Sequence, residues 1–147
     1  MKYILSISVL LLLGIAFASF SNKLEKENID SLKGIEFFDG TFTEALKQAK
    51  KENKYVFLDV YATWCGPCKL LKKKTFKDEE VANYYNKNFI NIAIDGETEE
   101  GRKLMSFYNI NSYPTLLIVD SDGKVKTRHS GFMKPYIFIN FGKRIVP

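Results

Sequence analysis

The run Tyr55-Val56-Phe57-Leu58-Asp59-Val60 is nearly continuous in its apolar character, with Asp59 its only charged residue. A strand with water on one face alternates apolar and polar side chains, so a run of this kind marks a strand buried on both faces. Phe89 to Ile94 and Thr115-Leu116-Leu117-Ile118-Val119 have the same character. A sheet built from such strands needs helices on both sides. Thr41-x-x-Glu44 has the form of a capping box, and Phe42, Ala45, Leu46 and Ala49 follow at helical spacing to about Asn53. Leu71, Phe76, Val81, Tyr84 and Tyr85 are the inward positions of a helical stretch after residue 68. Thr75 to Asp78 is its expected interruption, and Asp78 can cap the second half. Leu104, Phe107 and Tyr108 mark the apolar side of a short helix, and a last helix is expected over roughly residues 134–143. Asp122-Gly123 predicts a hairpin turn into a strand from Lys124 to Ser130, and Ile35-Glu36-Phe37-Phe38 a short edge strand. The predicted order β-α-β-α-β-α-β-β-α describes an α/β protein with a mixed sheet flanked by helices on both faces.

The length, 147 residues, suits one domain, and 46% hydrophobic content with twelve Phe and eight Tyr supplies its core. A chain of this size folds without disulfide staples, so its two cysteines are not needed as reinforcement. The net charge of +5 comes from basic residues spread among acidic ones. The densest cluster, Lys72-Lys73-Lys74, reads as the solvated face of a helix, and no nucleic-acid partner is expected. The first residues differ from the rest. Lys2 precedes an apolar run from Tyr3 to Phe17, and Ala16-Phe17-Ala18 offers a small-x-small cleavage pattern. Residues 1–18 therefore read as a signal peptide, with an uncleaved membrane anchor as the alternative. Residues 19–34 read as a polar linker and residues 35–147 as the folded domain. The expected location is periplasmic or secreted.

The chemistry concentrates at Trp64-Cys65-Gly66-Pro67-Cys68-Lys69, where the first buried strand gives way to a helix. Backbone N–H groups at a helix start favour the thiolate of Cys65, and Cys68, nearly one turn on, is near enough to close a disulfide. Pro67 suits the first turn because its missing N–H has no helical partner there. Gly66 keeps the approach to Cys65 open. The pattern predicts an accessible nucleophile and a protected resolving thiol. Asp59 lies six positions before Cys65, and a carboxyl in a buried strand has a raised pKa, which suits it to accept the proton of Cys68. The alternative places Asp59 at a solvated sheet edge. Pro114, directly before a buried strand, is not an ordinary ladder residue. In cis it would leave the backbone of Tyr113 open to an extended substrate chain; the isolated dipeptide favours trans.

Phe57-Leu58-Asp59-x-x-Ala62-x-Trp64-Cys65-Gly66-Pro67-Cys68-Lys69, with Tyr113-Pro114-Thr115 and Gly131, resembles the thioredoxin family. The stretch from Cys68-Lys69 to Thr75-Phe76 and Asp78 also resembles the C-terminal domain of the membrane thiol:disulfide interchange reductases. The likeness covers about residues 35 to 145. It implies a thioredoxin fold with a central mixed sheet of four to five strands, and it turns the expectation for Pro114 to cis. It implies a disulfide oxidoreductase in which Cys65 attacks, Cys68 resolves and Asp59 manages the proton on Cys68. Trp64, Gly66, Pro67, Tyr113, Pro114, Gly131 and Phe132 would form the apolar patch that docks substrate. Two positions depart from the family pattern: Asn91 stands where a buried lysine often accompanies the acid, and Tyr113 is bulkier than the usual aliphatic.

The Gly-Pro pair between the cysteines resembles the reducing members, whose potentials lie near about −270 mV rather than the roughly −120 mV of a strong oxidase. Reduction of exported protein disulfides, including those awaiting haem attachment, is therefore the expected activity, with electrons from a membrane thiol reductase. Isomerase or oxidase duty is the alternative, and a non-catalytic thioredoxin-fold binding module the more distant one. No cofactor beyond the redox-active cysteines and no metal is expected. Structural zinc takes four ligands, against two Cys and the single His129, which reads as a surface residue of the last strand. A monomer is expected.

Overall fold

A computed structural model of the protein describes residues 34–147. The expected signal segment, residues 1–18, and the linker as far as residue 33 lie outside the described residues. Helix α1 (Phe42–Glu52) is opened by the complete capping box of Thr41 and Glu44 and closed by Asn53, whose φ of 53° takes the left-handed turn out of the helix. Replacing Thr41 with alanine removes the hydroxyl that accepts from the Glu44 N–H. The expected cost is about 1 kcal/mol, read from the urea midpoint at unchanged slope.

Strand β1 (Tyr55–Tyr61) follows, then helix α2 (Gly66–Leu70), which continues without a break as a π-helical segment (Leu71–Thr75). Asp78 accepts from the Val81 N–H at 3.1 Å and starts α3 (Glu79–Asn88), as its place in the sequence leads one to expect. Strand β2 (Phe89–Asp95), helix α4 (Glu99–Phe107), strands β3 (Thr115–Val119) and β4 (Val125–Ser130) and helix α5 (Pro135–Lys143) complete the domain. The sheet has four strands in the order β2-β1-β3-β4, with β1 parallel to β2 and antiparallel to β3, and β4 antiparallel to β3. This is the thioredoxin-type mixed sheet.

Both faces of β1 are covered. Val56, Leu58 and Val60 pack with Phe42, Ala45 and Ala49 of α1 and with Tyr108 and Ile110 beyond α4. Phe57, on the opposite face, packs with Leu71, Phe76, Val81 and Tyr85 and with Phe138 of α5. The Phe138 ring stacks on Tyr85 at 4.1 Å, and the Tyr85 hydroxyl donates to the Phe138 carbonyl at 2.7 Å. The alternation of a strand therefore turns Asp59 towards the face that also receives α2 and the π-helical segment.

Two expectations need correction. Ile35–Phe38 is not a strand: it makes one backbone bond to the sheet, from the Phe38 N–H to the Asn91 carbonyl at 2.7 Å. The Ile35 N–H donates to the Phe76 carbonyl at 2.7 Å, outside the sheet, and Glu36 bonds to side chains, its N–H donating to Asn86 and its carbonyl accepting from Asn91. The sheet thus stops at four strands. Phe107 is 74% exposed rather than inward, and the burial at the end of α4 is supplied by Tyr108 and Ile110.

Candidate active site

Cys65 is the N-cap of α2, with extended backbone (φ −72°, ψ 115°), because the chain is still leaving β1 there. Its N–H is tied to the Ala62 carbonyl at 3.1 Å, and its own carbonyl accepts from the Lys69 N–H at 3.2 Å. The Cys68 N–H points at Cys65 Sγ, 3.1 Å away. One free donor of the helix start is thus aimed at the sulfur, the arrangement that stabilises negative charge. The two cysteines form a disulfide, with S–S 2.03 Å and Cα–Cα 5.3 Å. In this oxidised form their exposures do not differ in the way expected of an open and a protected thiol: Cys65 is 3% exposed and Cys68 2%. What distinguishes them is position: Cys65 caps the helix and Cys68 lies within its first turn.

The residues around the pair are more open. Trp64 is 68% exposed and its ring meets Tyr113 edge-on at 5.7 Å. Gly66 and Pro67 are exposed, and a Cβ placed on Gly66 would meet nothing within 4 Å. Tyr113 is half-buried, its peptide to the buried Pro114 is cis, and its ring packs with Ala62, Cys65 and Cys68. The Pro114 carbonyl accepts from the Gly131 N–H at 2.8 Å. Gly131 takes φ +99°, a backbone form that other residues rarely adopt, and so turns the chain from β4 towards half-buried Phe132. The structure therefore brings Tyr113, with Trp64 against its ring, to the disulfide, joins Pro114 to Tyr113 through the cis peptide and fastens Gly131 to Pro114, while Phe132 leans on the core around Phe57.

The size of Tyr113 has a local explanation absent from the motif. A Cβ on Gly96 would lie 2.3 Å from the Tyr113 hydroxyl oxygen, so the ring occupies space left by a missing side chain. The hydroxyl lies 2.9 Å from Met105 Sδ and 3.2 Å from Glu97 Oε1. Burial and this carboxylate raise its pKa above that of an ordinary tyrosine.

Asp59 is 1% exposed, and its Oδ1 has no hydrogen-bond partner. Ala93 faces it from β2 and Leu116 from β3, so it is central in the sheet and not at a solvated edge. Burial pushes its pKa up to about 7, with the charge of Lys72 pulling the other way. Asn91 lies beside Phe57 in register, and its amide group is directed to Glu36 and Asn86. His129 is half-buried on β4, across from Leu116. Among the described residues, no three His, Cys, Asp or Glu side chains cluster as a metal site would require.

Making and breaking one disulfide inside the first turn of a helix is the work of a thiol–disulfide oxidoreductase, and known proteins lead to the same class. The chain belongs to the thioredoxin-like domain family, whose profile matches residues 42–145. The thiol:disulfide interchange protein DsbD of Actinobacillus pleuropneumoniae is 29% identical over 84% of this chain and 20% of its own length. The chain spans about a fifth of the length of the curated relatives it matches. Among solved structures, the oxidised C-terminal domain of Neisseria meningitidis DsbD is 31% identical, with TM-score 0.62, covering 74% of this chain and 98% of that one. A Bacteroides thetaiotaomicron protein described as a candidate disulphide-isomerase is 44% identical, with TM-score 0.67, covering 75% and 91%.

Proposed function

We propose that the protein is an exported reductase of protein disulfides, working through Cys65 and Cys68. The observation that carries this reading is the Cys68 N–H held 3.1 Å from Cys65 Sγ at the mouth of α2, which favours Cys65 as the ionised, attacking sulfur. In the reduced protein the Cys65 thiolate attacks one sulfur of a substrate disulfide, forms a mixed disulfide and expels the first substrate thiolate. Cys68 then gives its proton to Asp59 and attacks Cys65 Sγ, and the second substrate thiolate leaves. Two electrons pass to the substrate, and the protein is left with the Cys65–Cys68 disulfide. Trp64, Gly66, Pro67, Tyr113, Pro114, Gly131 and Phe132 form the docking patch.

The oxidised protein must be reduced again, and a membrane thiol reductase suits that task in an envelope compartment. The export signal in residues 1–18 supports the location, and the likeness to the C-terminal domain of DsbD supports the electron route. Addition of the protein to insulin and dithiothreitol is expected to accelerate precipitation of the insulin B chain. No acceleration would leave a thioredoxin-fold binding module as the better account. A second reading, disulfide isomerase, is favoured by the 44% identity to the Bacteroides protein. Reactivation of scrambled ribonuclease, faster than an equal rate of simple reduction explains, would select it.

A further inference from the structure

No cation faces Asp59 from the strands beside it. Its neighbours across the strands are Ala93 and Leu116, and Asn91 is committed elsewhere. The charge that reaches this region comes from a helix. Lys72 stands four residues after Cys68, in the π-helical segment, and its Nζ lies 3.8 Å from the centre of the Tyr61 ring. Tyr61 is two positions along β1 from Asp59, on the same side of the strand. A cleft of about 240 Å³ is lined by Tyr61, Ala62, Thr63, Cys68, Lys69 and Lys72, so Lys72 and the resolving cysteine open onto one space. The attraction of the ring for the ammonium keeps an otherwise exposed lysine over that space.

We infer that Lys72 is a positioning residue of the exchange reaction: held on the Tyr61 ring at the mouth of the Cys68 cleft, its ammonium sets the charge state of Asp59 and so the pH at which Cys68 loses its proton. The inference rests on the proton-accepting role proposed for Asp59. The opposing effects on that carboxyl fit it, since burial raises its pKa and Lys72 is the charge that lowers it. The other titratable groups around Asp59 are few, and β4 adds His129, one strand beyond Leu116. Tyr61 shares its face of β1, Asp95 lies across from Tyr61 on β2, Lys69 lines the cleft from α2, and Tyr85 of α3 has its hydroxyl on the Phe138 carbonyl. The side chains of α5 on this face, Phe138, Ile139 and Phe141, carry no charge.

The test is a carbon-13 NMR titration of the Asp59 carboxyl in the oxidised protein, beside the pH profile of single-turnover insulin reduction. Lys72→Met is expected to move the Asp59 midpoint and the acid limb of the profile upward together by about half to one pH unit. At pH 6.5 that is a rate roughly three- to tenfold lower, converging with the wild type in alkali. Lys72→Arg restores both, Lys72→Glu moves both further, and in an Asp59→Asn background Lys72→Met leaves the profile where Asp59→Asn put it. An unmoved midpoint in Lys72→Met overturns the inference while the role of Asp59 stands. If the midpoint moves but Asp59→Asn itself leaves the profile unchanged, Asp59 is not the proton acceptor and both readings fail.

Discussion

Replacing Cys65 with serine is expected to return insulin reduction to the dithiothreitol background, a loss on the order of a thousandfold or more. The serine hydroxyl stays protonated at neutral pH, so the Cys68 N–H has no sulfur anion to stabilise, and the first step cannot begin. Cys68→Ser has a different consequence. Cys65 can still attack, but nothing displaces the substrate, so a mixed disulfide through Cys65 is expected to accumulate and to be visible by mass spectrometry without reducing agent. Because the two residues are 3% and 2% exposed in the disulfide form, exposure does not separate the proposed roles, and the hydrogen bond from the Cys68 N–H is what favours Cys65 as the attacking sulfur. Accumulation of the adduct in Cys65→Ser, and none in Cys68→Ser, would reverse the assignment.

The second large effect is on stability. The Asp59 carboxyl goes from an ordinary 3.8 to about 7 on burial. Between those two values the folded protein keeps a proton that the unfolded chain releases, so stability falls as pH rises through this window and the loss is complete above it. Three units correspond to about 4 kcal/mol, reduced by whatever relaxation or water softens the burial. Asp59→Asn has no charge to bury. It is expected to be more stable than the wild type by about 2–4 kcal/mol at pH 8–9, with the advantage shrinking towards zero at pH 4. Urea denaturation of the oxidised proteins at both pH values checks this, and an advantage of equal size at both would show that the ionised carboxyl is not its source. The wild type thus carries in the middle of its sheet a group that costs stability once ionised, which fits the proton-accepting role proposed for it.

Much of this architecture is legible in the amino-acid sequence. Strands β1, β2 and β3 announce themselves as apolar runs because helices cover both faces, and the capping box at Thr41 and the recapping at Asp78 are local signals that local hydrogen bonds satisfy. The cysteine pair and Asp59 stand at spacings that the strand and helix start impose. The features that are not legible depend on contacts between distant segments. Ile35–Phe38 looks like a strand, but Asn86 and Asn91 take the bonds that a neighbouring strand would have made. The space for Tyr113 depends on Gly96, seventeen residues earlier in the chain, and a motif written around the proline does not include it. Lys72 sits in a run of three lysines, and only its place above Tyr61 separates it from a merely solvated neighbour. The π-helical geometry that puts it there leaves no mark in composition or periodicity.

The open space around Gly66 has a consequence for how this scaffold can be varied. Nothing lies within 4 Å of where a side chain would begin, so a larger residue between the cysteines displaces no core atom. Foldedness and redox character are therefore separable at that site: Gly66 can be exchanged to retune the couple, or to favour a new partner, while the hydrophobic interior is left untouched.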